Sequence, residues 1–145
     1  DVAERWAGVQ SAVASRDAAV VTLVPAGGFG EERGAEVGRA AVAAGDLPDA
    51  FLCANDELAL GLMDELRRAD VDVPGQVMVT GWDDVMAARY AGLTSVRQPM
   101  RELGSEAARL LEEQISGSRT EPRHEVLPTE LVVRASTGKQ REETR

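Results

Sequence analysis

Short apolar runs alternate with segments of helical periodicity, and this alternation constrains the fold more than any other feature of the sequence. The runs at 18–24, 50–54 and 77–82 have the length and composition of buried strands. Between them, at 31–44 and 56–69, apolar residues recur every three or four positions, as in a helix facing a core. Such alternation is typical of right-handed βαβ crossovers. It predicts an α/β fold: a mainly parallel sheet with helices on both faces.

Capping residues and prolines predict the remaining boundaries. Gly45 ends the second helix, and its alanine-rich face predicts close packing on the sheet. Pro128 places one end of the last strand at a sheet edge. The other predicted elements are helices near 2–15, 83–90 and 101–116, an extended segment at 93–98 and a strand at 126–133.

Charge and apolar content exclude some partners. The 145 residues carry 16 Lys and Arg against 25 Asp and Glu, a formal net charge of −9. Because binding to the phosphate backbone of nucleic acid needs clustered Lys and Arg, the chain is not expected to bind nucleic acid by itself. No apolar run reaches the roughly 18 residues of a membrane helix, so no membrane contact is expected. The lack of an export signal and the single Cys53, expected as a buried free thiol, favour a cytoplasmic location.

Residues that follow the strands predict the function, because ligands of open parallel sheets bind beyond the carboxyl ends of the strands. Phe29 follows the first predicted strand, Asn55 the second and Asp83 the third. An aromatic ring covers an apolar sugar face, an amide donates and accepts, and a carboxylate accepts two hydroxyls. This rim predicts a neutral, hydroxyl-rich ligand such as a sugar or a nucleoside.

Structural interpretations of the same residues stay open. Asn55 or Asp56 can be a helix N-cap, and Asp83 with Asp84 can form a solvated turn. The glycines around Phe29 match no phosphate-binding motif and are interpreted as turn residues. The sequence shows no catalytic constellation, metal-ligand cluster or cofactor fingerprint, so an enzyme, a metal site and a cofactor are not expected.

Four motifs, in one order over residues 4–137, resemble the LacI/GalR family of bacterial transcription regulators. They are ANDELALG at 54–61, VPGQVMVTGWDD at 73–84, LTSVRQP at 93–99 and LVVRAST at 131–137. The resemblance implies the effector-binding part of such a regulator, which is similar to periplasmic sugar-binding proteins. In that fold two α/β lobes enclose the ligand in a cleft.

The resemblance also implies site residues by position. An arginine at the start of the first helix reaches sugar hydroxyls, an aromatic stacks on the ligand, and an amide and a carboxylate hold it. A fifth side chain faces the cleft after the Gln-Pro pair. In this sequence these ligand-binding residues are Arg5, Phe29, Asn55, Asp83 and Met100. Trp82 stands where the family usually has Phe or Tyr, a change that leaves the strand intact.

Domain boundaries follow from the same resemblance. Residues 1–98 and 121–138 are expected to form the C-terminal lobe, and 99–120 to belong to an N-terminal lobe that is mostly absent. Residues 139–145 are charged and aperiodic, and are expected to be a disordered tail. The chain starts without Met, which indicates a fragment or processed product. It is therefore not expected to bind an operator or to close a whole cleft alone.

Partners implied by the resemblance are a small effector, a second copy of the chain and, through a helix-turn-helix outside it, operator DNA. The effector is expected to be a sugar or related polyol, with a nucleobase or nucleoside as the other class. The alternative function is a sugar-binding protein of an ABC-type transporter. The apolar face of the last helix is expected to meet another copy or to fold back on the sheet; it consists of Leu103, Ala107, Leu110 and Leu111.

Overall fold

A computed structural model describes residues 2–16 and 19–138. The predicted tail at 139–145 lies outside the described residues. Within them, no helix is both long enough and apolar enough to cross a membrane. The elements, in chain order, are α1 (Val2–Ala14), α2 (Glu31–Ala44), β1 (Ala50–Leu52), α3 (Asp56–Arg68), β2 (Met78–Asp83), α4 (Met86–Tyr90), β3 (Thr94–Arg97), α5 (Met100–Ile115), β4 (Glu130–Val132) and a 3₁₀ turn at Ala135–Thr137.

The four strands form one sheet in the order β1-β2-β3-β4. β1, β2 and β3 are parallel to one another, and β4 is antiparallel to β3. The predicted mainly parallel α/β class is thus confirmed. Because Asp83 pairs with Arg97 in the register, β2 and β3 end side by side. The carboxyl ends of three neighbouring strands therefore meet at one edge.

The core lies between α3 and the sheet. Leu58, Leu62 and Leu66 recur at helical spacing and are all buried, as the sequence predicts. Val77 and Val79 alternate on the facing side of the sheet and are also buried. The apolar face of α3 and its N-cap hold this helix against the sheet. The first residues of α3 therefore lie beside the ends of the strands.

α2 packs mainly along α3, and three glycines make this close contact possible. Gly34 and Gly38 are the buried residues of α2. A Cβ at Gly34 would lie 2.0 Å from the carbonyl oxygen of Leu58, and one at Gly61 would lie 1.9 Å from that of Glu31. The element that α2 meets most closely is thus α3, rather than the sheet. The two backbones meet through glycines.

The predicted strand at 18–24 is also wrong for its described part. Residues 19–26 form no strand, and Val20, Leu23 and Val24 are exposed by 91%, 57% and 54%. A strand needs a hydrogen-bonded neighbour, and in the described part of the chain β1 pairs with β2 alone. The apolar run thus has strand composition without a pairing partner.

The C-terminal elements depart from prediction in two ways. The predicted strand at 126–133 is reduced to Glu130–Val132, so Pro128 precedes it. α5 buries none of its residues, and Leu103 and Leu111 are exposed. Folding back of this face on the sheet is therefore contradicted, because the helix lies away from it. Association with another copy and the lobe boundaries at 98 and 121 stay predictions.

Candidate functional site

Arg5, in the first turn of α1, reaches the carboxyl ends of two strands. Its Nη1 donates a hydrogen bond to the carbonyl oxygen of Ala54 at 2.5 Å. Its guanidinium carbon lies 4.6 Å from the centroid of the Trp82 ring, a cation–π contact. Because Gly81 faces α3, Trp82 points to the opposite face of the sheet, where α1 begins. Arg5 therefore anchors α1 at the strand ends, with further N–H donors for a ligand.

Asn55 caps α3 and holds the loop that carries Phe29. Its Oδ1 accepts the N–H of Leu58 at 3.0 Å, and its Nδ2 donates to the Phe29 carbonyl at 2.9 Å. The N-cap interpretation of Asn55 is confirmed. The Phe29 side chain is 57% exposed, which leaves its ring open to a ligand. Asn55 thus positions the aromatic residue, and its own ligand contact stays a prediction.

Asp83 and Asp84 form a constrained turn at the end of β2. Their φ angles are 106° and 54°, a region that residues with side chains rarely adopt. The N–H of Asp84 donates to Ser95 Oγ at 3.1 Å, and the N–H of Val85 donates to Asp56 Oδ2 at 2.8 Å. These contacts come from β3 and α3, so both packed elements hold the turn in place.

The buried carboxylate of Asp84 sits between two arginines. Its Oδ2 accepts a hydrogen bond from Arg97 Nε at 2.7 Å, and its Oδ1 lies 2.6 Å from Arg134 Nη2. Only 3% of this side chain is exposed, so the solvated-turn interpretation is wrong for Asp84. Burial disfavours its charged form, but the two guanidinium groups outweigh burial and lower the pKa of Asp84. Asp84 therefore has a structural role, since its carboxylate ties the turn at the end of β2 to Arg97 and Arg134.

Asp83 is held by a neutral amide from the segment that follows β3. Gln98 Nε2 donates to Asp83 Oδ1 at 2.5 Å, and the Gln98 carbonyl accepts the N–H of Met100 at 2.9 Å. The Met100 side chain is 64% exposed at the start of α5. Asp83 is therefore held at the end of β2 by the segment that leads to Met100 and α5.

The structure places all five predicted ligand-binding residues along this edge. The first group joins Arg5, Asn55 and Phe29 through the end of β1, and the second joins Asp83 and Met100 through Gln98. Two cavities of about 300 and 290 Å³ lie elsewhere, one lined by α5 and Leu127 and one beside the end of α3.

Two residues of the edge were missed by sequence reasoning. Trp82 carried a signal, since it directly precedes Asp83 and replaces the family's usual Phe or Tyr. Gln98 carried no local signal, because its contact with Asp83 crosses between strands. Within residues 2–16 and 19–138, no group of three or more His, Cys, Asp or Glu side chains is placed to hold a metal ion.

Comparison with known proteins identifies the family. The model of the periplasmic binding protein-like domain matches residues 2–137. The regulator CelR of Thermobifida fusca, an HTH-type transcriptional regulator, is 39% identical over 117 residues, which are 79% of this chain and 34% of CelR. The chain belongs to the LacI/GalR family. It spans about a third of the length of CelR and of the repressor MelR of Bacillus subtilis, 34% and 33% respectively.

Solved structures of LacI-family regulators share this fold. A protein described as a LacI-family transcriptional regulator from Sanguibacter keddieii superposes with a TM-score of 0.88 at 36% identity, over 94% of this chain and 54% of that one. The complex of CelR with cellobiose gives a TM-score of 0.69 at 39% identity, over 74% of this chain and 34% of CelR. The chain thus has the periplasmic binding protein-like fold that these LacI-family regulators share.

Proposed function

We propose that the edge at the ends of β1, β2 and β3 binds a sugar or related polyol as the effector of a LacI/GalR regulator. The observation that supports the proposal is that Arg5 contacts Ala54 and Trp82 at the ends of β1 and β2, the strands after which Asn55 and Asp83 stand. The sugar bound to CelR, cellobiose, supports the same ligand class.

Each proposed residue has a distinct task in binding. Asp83 accepts hydrogen bonds from sugar hydroxyls, and charge-assisted bonds of this kind are the stronger ones. Arg5 donates to hydroxyl oxygens, and the exposed ring of Phe29 covers the apolar face of the sugar. Asn55 holds Phe29 in place, while Met100 contributes an apolar contact from the start of α5. None of these tasks involves bond making, so the proposed activity is binding and not catalysis.

Regulation follows from binding between two lobes. In the complete protein, a ligand that favours one lobe angle shifts the population of operator-competent dimers. DNA contact belongs to a helix-turn-helix outside this chain, which fits the net charge of −9. Helices flanking the sheet supply much of the homodimer interface, and the regulator acts in the cytoplasm.

The test uses the full-length regulator and operator DNA selected by that protein from random sequence. Affinity for the fluorescently labelled operator is measured by anisotropy, alone and with cellobiose, glucose or adenine. The proposal expects a sugar to change operator affinity, and adenine to leave it unchanged. A response to adenine alone would replace the sugar class by a purine class. A protein that selects no DNA at all would contradict the regulatory role.

A further inference from the structure

Gln98 links the candidate ligand carboxylate to the start of α5. Its side-chain amide donates to Asp83 over 2.5 Å, and its backbone carbonyl accepts the N–H of Met100 at 2.9 Å. Both Gln98 and Asp83 are half-buried. One residue of the β3–α5 connection therefore contacts the turn at the end of β2 and the first turn of the next helix.

The backbone around Asp83 is fixed, but its carboxylate depends on Gln98. Ser95 and Asp56 hold the N–H groups of the two residues that follow Asp83. These two bonds hold the left-handed turn against β3 and α3. The Asp83 side chain extends beyond them, and the Gln98 amide is the described partner that orients it. Loss of this amide would leave the turn in place while freeing the carboxylate.

An uncharged donor suits a carboxylate that must accept ligand hydroxyls. The amide satisfies one acceptor position of Asp83 and leaves the others available, because a carboxylate can accept about four hydrogen bonds. A guanidinium at this position would neutralise the carboxylate, as Arg97 and Arg134 do for the neighbouring Asp84. The two adjacent aspartates thus have partners of different charge. The arginines hold Asp84 in the structure, whereas the neutral amide leaves Asp83 able to accept hydrogen bonds from a ligand.

We propose that Gln98 is a positioning residue, which holds Asp83 for the ligand and transmits its occupancy to α5. The ligand half rests on the proposed function, whereas the link between Asp83 and α5 exists without ligand. A ligand hydroxyl that donates to a remaining acceptor position of Asp83 shares the carboxylate with Gln98 and weakens the Gln98 bond. Since the Gln98 carbonyl contacts Met100, the first turn of α5 then responds.

The first experiment needs no ligand. Amide hydrogen exchange is measured by mass spectrometry on the full-length regulator, comparing wild type with Gln98→Met and with the exposed α1 control Gln10→Met. The expected result is exchange at least about threefold faster in both 83–86 and 100–104 for Gln98→Met, and in neither for the control. Faster exchange confined to 97–99, or no change, would overturn the link.

The second experiment measures sugar affinity by calorimetry with cellobiose and glucose, together with urea unfolding of each variant. Gln98→Met is expected to weaken binding by about tenfold, and Gln98→Glu by more, because the new carboxylate repels Asp83. A merely structural role predicts affinities that follow stability, with Gln98→Glu no weaker than Gln98→Met, and this result would overturn the proposal. If wild type binds no sugar, the proposed function fails while the exchange experiment still decides the link to α5.

Discussion

The guanidinium of Arg5 lies 4.6 Å from the centroid of the Trp82 ring and donates to the carbonyl of Ala54 at 2.5 Å. One side chain of α1 thus joins the ends of β1 and β2 on the face opposite α3. The contact has a structural effect, since it fixes where α1 begins. It has a proposed functional effect as well, since it fixes a guanidinium donor at the ends of β1 and β2.

Replacing Arg5 with alanine is expected to affect both stability and binding. Loss of the cation–π contact and the charged hydrogen bond should lower the free energy of unfolding by about 1–2 kcal/mol. Sugar affinity should fall by about tenfold or more, since the donor is removed. Urea unfolding and calorimetry measure the two effects. Arg16→Ala, at the exposed end of α1, is the control and should change neither. An Arg5→Ala protein with wild-type affinity would remove Arg5 from the site.

Glycine-to-alanine changes should distinguish a helix that packs closely on another helix from one that does not. Gly34→Ala places a methyl group 2.0 Å from the Leu58 carbonyl oxygen, so α2 and α3 must move apart. We expect a loss of about 2 kcal/mol or more. Gly104→Ala, on α5 with no atom within 4 Å of the added carbon, should instead stabilise the protein by about 0.5 kcal/mol. Equal effects of the two changes on the urea midpoint would contradict the described packing.

Asp84→Asn should lower the free energy of unfolding at neutral pH and change it little in acid. Removing the charge leaves Arg97 and Arg134 facing a neutral amide, a loss of about 3 kcal/mol for a buried ion pair. Because the folded-state pKa of Asp84 is lowered, its contribution is complete above the usual carboxyl pKa near ~3.9 and is lost as pH falls through the lower folded value. The unfolding free energies of the two proteins in urea should therefore converge as the pH falls below the lowered folded-state pKa of Asp84.

The control for this pH dependence is Asp46→Asn, at an exposed position. It should match wild type within about 0.5 kcal/mol throughout. A gap between wild type and Asp84→Asn that stays constant from neutral pH to strong acid would show that Asp84 does not titrate as described.

Cys53 should react slowly in the folded protein. Burial, with a smaller contribution from the Asp56 carboxylate, raises the pKa of the thiol to about 12. Since the thiolate is the reactive form, labelling by iodoacetamide at pH 8 should be at least about a hundredfold slower than in urea. A Ser11→Cys, Cys53→Ser protein provides an exposed thiol on α1 for comparison. The structure leaves Cys53 half-buried rather than fully buried as the sequence predicts, and similar rates for the two thiols would contradict its raised pKa.

The sequence predicted those elements whose signals are local. α2 spans the predicted 31–44 because Gly45 ends it in a left-handed conformation with φ of 70°. α3 begins at its predicted cap, Asn55, and carries a regular apolar stripe. Such features depend on neighbours three or four positions away. They can therefore be recognised without knowledge of the rest of the chain.

Features that depend on distant residues escaped prediction. The run at 18–24 has strand composition, but composition does not reveal whether β1 offers it a hydrogen-bonding edge. Nor does it reveal that glycines join α2 to α3, or that Gln98 reaches Asp83. For the candidate site, the strand-end rule and the family resemblance proposed the residues. Only the tertiary structure shows which contacts place them together.

Calorimetric titration of the full-length regulator with mono- and disaccharides, cellobiose among them, tests the central claim most directly. Wild type, Asp83→Ala and the exposed control Asp46→Ala are compared after their folding has been checked by circular dichroism. We predict that at least one sugar binds wild type and Asp46→Ala alike, and binds Asp83→Ala about tenfold to a hundredfold more weakly, since hydrogen bonds to a charged group contribute about 1.5–3 kcal/mol. Undiminished binding by Asp83→Ala, or no sugar bound by wild type, would contradict the account.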